Sequence, residues 1–245
     1  MSASILASTT RRILRQLGHD RRTIALMLVV PVVFLTLIYS MYEDDPRLFD
    51  RVALTMLGIF PFILMFLVTS IAMLRERTSG TLERLFTTPH GKLDLLFGYG
   101  LAFGLAAAVQ ASVAAAAAYW LFDLDTAGSA WLVILIAVAN AVLGVALGLL
   151  CSAFARTEFQ AVQFMPVVAI PQVLLCGLFV ARDQMAGWLE TISDVLPLSY
   201  AVSALQHVGR DTEPAGEMWR DLMIVVLAVV LALVLAAATL RRRTR

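Results

Sequence analysis

Three histidines and two cysteines are the side chains of this sequence best suited to metal binding or nucleophilic chemistry. The histidines, His19, His90 and His207, are far apart, and none belongs to an HExxH pair or a similar metal-ligand spacing. Neither the nucleophile motif GxSxG nor the phosphate-binding loop GxxxxGK[ST] occurs in the sequence. We therefore predict no catalytic residues, no metal site and no cofactor bound by this chain.

The rest of the chain is strongly apolar. Of its 245 residues, 60% are hydrophobic and 15% are charged, whereas about 25% of an average soluble domain is charged. A helix needs about 20 apolar residues to cross a bilayer. Six segments without Asp, Glu, Lys, Arg or His are long enough: 23–42, 52–74, 95–122, 126–155, 159–181 and 222–240. The prediction is an all-α membrane protein with six spans in one domain, 1–245.

Basic residues predict the orientation of these spans, because cytoplasmic loops are enriched in Lys and Arg. Six spans place both termini on one side. With cytoplasmic termini, fourteen of the 19 basic residues lie inside and five outside. We expect this multi-pass orientation, with the first span retained rather than cleaved as a signal peptide. The dominance of arginine and alanine suggests a bacterial genome, and hence a bacterial plasma (inner) membrane.

The segment before the first span, residues 1–22, has the pattern of an amphipathic helix. One face carries Leu6, Thr10, Ile13, Leu14 and Leu17, and the opposite face carries Ser8, Arg11, Arg12, Arg15 and His19. This predicts a helix at the cytoplasmic surface of the membrane. It would serve as an anchor for anionic lipids or as a docking surface for a cytoplasmic partner.

Two longer segments separate the spans. In the cytoplasmic segment 75–94, Leu82, Leu85 and Phe86 share a face of a short helix that Pro89 ends. This pattern suits either the membrane surface or a groove on another protein. The outer segment 182–221 contains an uncharged stretch, 195–209, that is too short for a span. We predict short re-entrant or interfacial helices there.

Small residues and prolines mark positions of close packing and bending within the spans. Gly144 and Gly148 form a GxxxG pair, which packs helices closely either within the subunit or against another copy. The mid-span amides Gln110 and Asn140 are expected to form interhelical hydrogen bonds. Four prolines within spans predict bends: Pro31, Pro61, Pro166 and Pro171. Pro31 lies in the first span, whereas the other three lie in the second and fifth spans. We expect those two helices to move.

Segment 75–94 resembles a known family. Its residues from Glu76 to Pro89 match ER-x-x-GT-x-E-x-L-x-x-TP, a signature of type-two ABC transporter permeases such as daunorubicin-resistance-like membrane subunits. The PLSY sequence of residues 197–200 resembles a short motif of that family among its outer re-entrant helices. The six spans and the amphipathic N-terminal helix extend the resemblance over the whole chain. Tyr99 departs from it, because many members have lysine at this point.

The resemblance implies a permease subunit of an ATP-driven exporter, for hydrophobic or amphipathic substrates such as drugs, antibiotics, polyketides or lipids. Segment 75–94 would be the coupling helix, bound by a separate ATP-binding subunit that holds ATP and Mg, and 1–22 the elbow helix. The implied coupling residues are Glu76, Gly80, Thr81, Leu82, Glu83, Leu85, Phe86, Pro89, Arg11 and Arg15. The expected assembly has two ATPases, a second permease copy or a sister permease, and surrounding lipid. Nucleic acid is not an expected partner.

The resemblance also implies a substrate path between two permeases, lined by the second and fifth spans. The candidate path residues are Phe60, Phe62, Met65, Phe66, Phe164, Met165 and Gln172, and the outer motif residues are Pro197, Ser199 and Tyr200. Two other functions stay open. An ion-coupled secondary transporter is disfavoured because the spans have no ionisable residue. A non-transporting membrane scaffold for a cytoplasmic partner fits the same sequence.

Overall fold

A computed structural model of the chain describes residues 3–78 and 92–239, with side chains over 6–78 and 97–239. The described residues form nine α-helices and one 3-10 turn, with no β-strand. In chain order the helices are α1 (Ala3–His19), α2 (Arg21–Met41), α3 (Pro46–Thr78), α4 (Lys92–Leu121), α5 (Ala130–Cys151), α6 (Glu158–Leu175), α7 (Gly187–Val195), α8 (Pro197–Arg210) and α9 (Gly216–Thr239). The 3-10 turn, Arg182–Gln184, precedes α7.

Six of these helices are long and apolar enough to cross a membrane, as predicted: α2, α3, residues 97–121 of α4, α5, α6 and α9. The helix ends differ from the predicted bounds. Helix α3 has 33 residues, about 50 Å at 1.5 Å per residue, so it is longer than the hydrocarbon core is thick. Helix α6 ends at Leu175, because Gly177 adopts a left-handed φ of 94° that terminates a helix.

Helices α1 and α2 are separate because Asp20 caps the start of α2. The Asp20 carboxylate accepts hydrogen bonds from the Thr23 hydroxyl at 2.6 Å and the Thr23 backbone N–H at 3.1 Å. These hydrogen bonds hold the pKa of the Asp20 carboxyl below its usual range. The cap therefore interrupts the helical path between the amphipathic helix and the first span.

The centre of the structure is the pair α3 and α5, which pack against each other more extensively than any other two helices that the structure describes. A Cβ atom at Gly144 would lie 2.3 Å from the Phe62 carbonyl oxygen, and one at Gly148 would lie 2.6 Å from the Phe66 carbonyl oxygen. The GxxxG pair thus packs within the subunit. Asn140 Nδ2 donates to the Gly58 carbonyl oxygen at 2.7 Å, which is the interhelical hydrogen bond expected of this amide. Gln110 is buried, but its side chain forms no hydrogen bond with a residue that the structure describes, so the hydrogen bond expected of it is not observed.

Three of the spans lie at the periphery. Helices α2, α6 and α9 leave most of their large apolar side chains exposed, including Leu26, Phe34, Val167 and Leu227. In a membrane such faces contact lipid or another subunit. The four intramembrane prolines lie inside α2, α3 and α6, and each helix continues through its proline. The expected movement of α3 and α6 stays a prediction.

Candidate functional site

The insert, residues 75–94, defines two sides of the helical bundle. Helix α3 ends within the insert at Thr78, and α4 begins within it at Lys92. We call this end of the bundle the insert side and the opposite end the far side. Most of the predicted coupling residues lie outside the described part of the chain: Gly80, Thr81, Leu82, Glu83, Leu85, Phe86 and Pro89. Their coupling role stays a prediction. The described part of the site consists of the end of α3, the start of α4 and the helices that contact them.

A buried polar cluster joins three helices beside the insert. Glu76, in the last turn of α3, is only 6% exposed, and its Oε1 lies 3.7 Å from Nη1 of Arg12 on α1. Arg12 Nη2 donates a hydrogen bond to Oη of Tyr99 on α4 at 2.8 Å. A buried carboxylate is stabilised by a compensating charge, and Arg12 supplies such a charge from α1. Movement of the α3 end is thereby linked to α1 and α4.

The same end of α3 is also bound to α6. Arg75 donates two parallel hydrogen bonds to Glu158 at the start of α6, from Nε at 2.8 Å and from Nη2 at 3.1 Å. Both side chains are more than half exposed, so this ion pair contributes at most about 1 kcal/mol. It nevertheless places the first turn of α6 against the residue next to Glu76.

Helix α1 packs on the start of α4 through its predicted less polar face. Thr9, Thr10 and Ile13 are buried, and the Thr10 hydroxyl lies 3.4 Å from the Gly98 carbonyl oxygen. A Cβ at Gly98 would lie 2.7 Å from Thr9 Cγ2, so glycine permits this close approach. Arg11 and Arg15 are exposed on the opposite face. The amphipathic pattern is confirmed, while the membrane-surface position and partner contact stay predictions.

An apolar cavity of about 310 Å³ lies beside the polar cluster, among α1, α2, α3 and α4. Its apolar lining includes Leu17, Met27, Val68 and Phe103, and Tyr99 forms part of its wall. The cavity leaves space next to the cluster on the insert side.

The structure places the α3 path candidates mainly inside the subunit. Phe62, Met65 and Phe66 are fully buried, and the backbone of both phenylalanines touches α5. Phe60 is partly exposed and lies 4.5 Å from the ring of Phe34 on α2, measured between ring centroids. These residues do not share one surface of the described subunit.

The α6 candidates are also divided. Phe164 and Met165 are partly buried in two different apolar clusters. Gln172 is 3% exposed, and its Oε1 accepts a hydrogen bond from the Leu198 N–H of α8 at 3.4 Å. This contact turns Gln172 toward α8. A substrate role for all seven residues stays a prediction.

The PLSY residues link the far end of α6 to α7 and α8. Pro197 opens α8, and the Ser199 hydroxyl accepts from Ser193 Oγ at 3.1 Å. Tyr200 Oη donates to the Asp194 carbonyl oxygen at 2.7 Å. Arg182 forms an ion pair with Asp194 and lies over the Tyr200 ring, 5.0 Å from its centroid. The motif thus fixes the far-side helices, while the re-entrant depth stays a prediction.

Sequence reasoning misses two members of the polar cluster. It assigns Arg12 only to the polar face of α1, and it marks Tyr99 only as a departure from the family pattern. The sequence feature that could have indicated this contact is Tyr99 at the start of a span, next to Gly98, where the absence of a side chain lets α1 approach. The motif does identify their partner Glu76.

Together these features define a multi-pass membrane subunit whose insert emerges from helices joined by a partly buried ion pair. The pattern of the ABC-2 type transporter family matches residues 3–208. The chain belongs to the ABC-2 type transporter family.

Named relatives are distant and longer. The chain is 25% identical over 209 residues to ABC transporter G family member 20 of Dictyostelium discoideum, covering 83% of this chain and 28% of the relative. It is 26% identical over 164 residues to Probable multidrug ABC transporter permease YbhR of Escherichia coli, covering 66% and 45%. It is 24% identical over 135 residues to Linearmycin resistance permease protein LnrN of Bacillus subtilis, covering 55% and 35%. The aligned part spans less than half of each relative.

The Arg12–Glu76 pair is expected to contribute measurably to stability. Glu76→Gln and Arg12→Gln should each lower the free energy of unfolding, and the double variant should lose about 1 kcal/mol less than their sum, because the two charges stabilise each other. Chemical unfolding in detergent micelles measures all three. Arg75→Gln and Glu158→Gln form the matched control for the exposed pair, with an expected coupling within about 0.5 kcal/mol. Additive effects of Arg12→Gln and Glu76→Gln would contradict the ion pair.

Proposed function

We propose that this chain is the membrane-spanning subunit of an ATP-driven exporter, powered by a separate ATP-binding subunit. The observation that supports this proposal most directly is that the chain belongs to the ABC-2 type transporter family. In this arrangement, ATP and Mg would bind to the partner. The subunit itself breaks no bond, and its residues transmit movement.

Movement would enter through the insert. A cleft of the ATP-binding subunit would receive the apolar face formed by Leu82, Leu85 and Phe86. Displacement of the insert would move the Thr78 end of α3, and the contacts at Gly144 and Gly148 favour movement of α3 and α5 as one body. The Arg12–Glu76 pair would pass the same displacement to α1.

The substrate would be a hydrophobic or amphipathic molecule, such as a drug, an antibiotic, a polyketide or a lipid. Two relatives have names that concern multidrug transport and linearmycin resistance. Exposed apolar faces of α2 and α6 offer large surfaces for a second permease, either a copy or a sister subunit. A path between two such permeases would suit apolar substrates, because aromatic and methionine side chains provide adaptable contact area.

The insert side would be the cytoplasmic side of a bacterial plasma membrane. Arginines are concentrated on this side, including Arg11, Arg12, Arg15, Arg75 and Arg77. This distribution follows the positive-inside tendency of membrane proteins. Both termini would then be cytoplasmic, next to the ATP-binding partners, in an assembly of two permeases and two ATPases.

Transport into proteoliposomes tests this function. The chain is reconstituted with or without its ATP-binding partner, ATP and Mg are added outside, and uptake of fluorescent daunorubicin is followed. Assemblies whose insert faces outward should accumulate the drug only with partner and ATP. The chain alone should hydrolyse no ATP. Hydrolysis by the isolated chain, or partner binding without ATP-dependent uptake, would overturn the proposal, and the second result would favour a scaffold.

A further inference from the structure

We infer that the far side of this subunit contains a binding site for the headgroup of a phospholipid that carries a phosphate and a primary ammonium, as in phosphatidylethanolamine. The site is a cavity of about 480 Å³ between the start of α3, the α4–α5 connection and the end of α8. Arg47, Arg51 and Arg210 line it together with Asp50 and Asp125. This site is independent of export and of the substrate path.

The distribution of ion pairs singles out this cavity. Five of the arginines that the structure describes lie on the far side, and two of them pair elsewhere: Arg182 with Asp194, and Arg220 with Asp221 at 3.1 Å. The other three line the cavity, and none of them forms an ion pair with a residue that the structure describes. The three guanidinium groups outnumber the two carboxylates beside them, so the cavity attracts an anion. Their planar donor groups match phosphate oxygens in pairs.

Depth in the membrane favours a lipid as the source of that phosphate. The uncharged run of α3 begins at Val52, directly after Arg51, so the cavity lies where the apolar span meets the headgroup layer. Leu54, one turn further along α3, forms part of the lining and is buried. A Cβ at Gly209 would lie 2.5 Å from Leu54 Cδ1, so α8 closes tightly on the apolar end of the cavity.

The wall formed by the α4–α5 connection is held by several hydrogen bonds. The Asp125 N–H donates to Asp50 Oδ1 at 3.1 Å, and the Gly128 N–H donates to the Val208 carbonyl oxygen at 2.9 Å. Thr126 Oγ1 lies 2.9 Å from Tyr119 Oη. A Cβ at Gly128 would lie 2.9 Å from the Val208 carbonyl oxygen, so the connection sits directly on α8. The cavity is therefore formed before any ligand enters.

The two carboxylates decide the type of headgroup. The three arginines and the carboxylates of Asp50 and Asp125 give the cavity both signs of charge, which suits a headgroup that carries a phosphate together with a cation. Asp125 is exposed, and its carboxylate accepts no hydrogen bond from a residue that the structure describes, whereas Asp50 Oδ1 already accepts one. A primary ammonium donates hydrogen bonds to such a carboxylate, but a trimethylammonium has no N–H to donate. This difference favours phosphoethanolamine over phosphocholine.

Native mass spectrometry of the full chain in detergent, with equimolar phosphatidylethanolamine, phosphatidylcholine and phosphatidylglycerol, tests the site. The wild-type chain should retain phosphatidylethanolamine about tenfold over the other two, equivalent to about 1.4 kcal/mol. The double variant Arg51→Gln/Arg210→Gln should lose this preference. Arg182→Gln removes an arginine from the same side but outside the cavity, and it should keep the preference. Equal retention by the double variant and Arg182→Gln would overturn the site.

Two further measurements separate the lipid headgroup from other anions. Asp125→Asn keeps the backbone N–H that donates to Asp50, and it should shift retention toward phosphatidylglycerol by removing the partner of the ammonium. Unchanged selectivity in this variant would overturn the role of the ammonium. Inorganic phosphate at the same concentration as the lipid should not displace it, whereas complete displacement would identify a site for a free anion and refute a lipid site. Melting temperatures of all variants verify that they are folded.

Discussion

Gly144→Ala is expected to destabilise the subunit by about 3 kcal/mol, the upper end of the usual cost of overpacking. The added Cβ would lie 2.3 Å from the Phe62 carbonyl oxygen, 3.0 Å from its carbonyl carbon and 3.1 Å from its Cα. All three are backbone atoms, so no side-chain rotation relieves the clash. Helices α3 and α5 would have to separate over their extensive contact. Chemical unfolding of the purified chain in detergent micelles measures the loss.

Gly104→Ala is the matched control for this substitution. Gly104 also lies in a membrane-spanning helix, α4, but a Cβ there would meet only Val142 Cγ2 at 3.9 Å, an ordinary contact. Since alanine is the better helix former by about 1 kcal/mol, Gly104→Ala should be neutral or slightly stabilising. Gly148→Ala, with its Cβ 2.6 Å from the Phe66 carbonyl oxygen, should resemble Gly144→Ala. Equal stability of Gly144→Ala and Gly104→Ala would contradict the close approach of α3 and α5.

The six spans are predictable from sequence because a charge is so costly in hydrocarbon that long uncharged runs are typical of membrane helices. Their ends are less predictable, since local backbone features set them. Gly177 ends α6 before the uncharged run ends, and Asp20 starts α2 within the basic residues that precede the span. Counting uncharged residues detects neither the left-handed conformation of a glycine nor a capping hydrogen bond.

The sequence does not show which helix packs against a given face of another helix. A GxxxG pair permits close approach to any helix, so Gly144 and Gly148 suit both internal packing and contact with a second copy. Likewise, the span in α3 is apolar on all sides, and periodicity offers no means of deciding which residues face inward. Phe62, Met65 and Phe66 are path candidates by residue type and span, and the structure shows that they pack inside the subunit.

Polar contacts between distant segments are predictable only where a motif marks one partner. Glu76 belongs to the resemblance over segment 75–94, but its neighbour Arg12 comes 64 positions earlier in the chain. A basic residue in an amphipathic helix before the first span has many possible roles, including contact with lipid. Arg12 has a specific role here because it forms an ion pair with the buried carboxylate of Glu76.

The double variant Leu85→Asp/Phe86→Asp is expected to reduce partner-stimulated ATP hydrolysis and drug uptake to the level of vesicles without the partner. Two carboxylates on the apolar face of the insert would have to be desolvated in the proposed groove, at a cost of several kcal/mol each. Binding of the insert would then be lost, while the spans keep their composition and insert normally. Steady-state ATPase activity and daunorubicin uptake in the reconstituted complex measure the effect.

Arg84→Asp is the control, because it changes the net charge by the same two units on a different face of the predicted insert helix. This variant should keep most of the stimulated activity, and both variants should be present in the membrane at wild-type levels. Undiminished stimulation in Leu85→Asp/Phe86→Asp would contradict coupling through the apolar face. Equal loss in both variants would show that charge, rather than the apolar face, governs the contact. Loss confined to the double variant would identify the insert as the point where work from ATP reaches α3, through an end that Glu76 holds to α1.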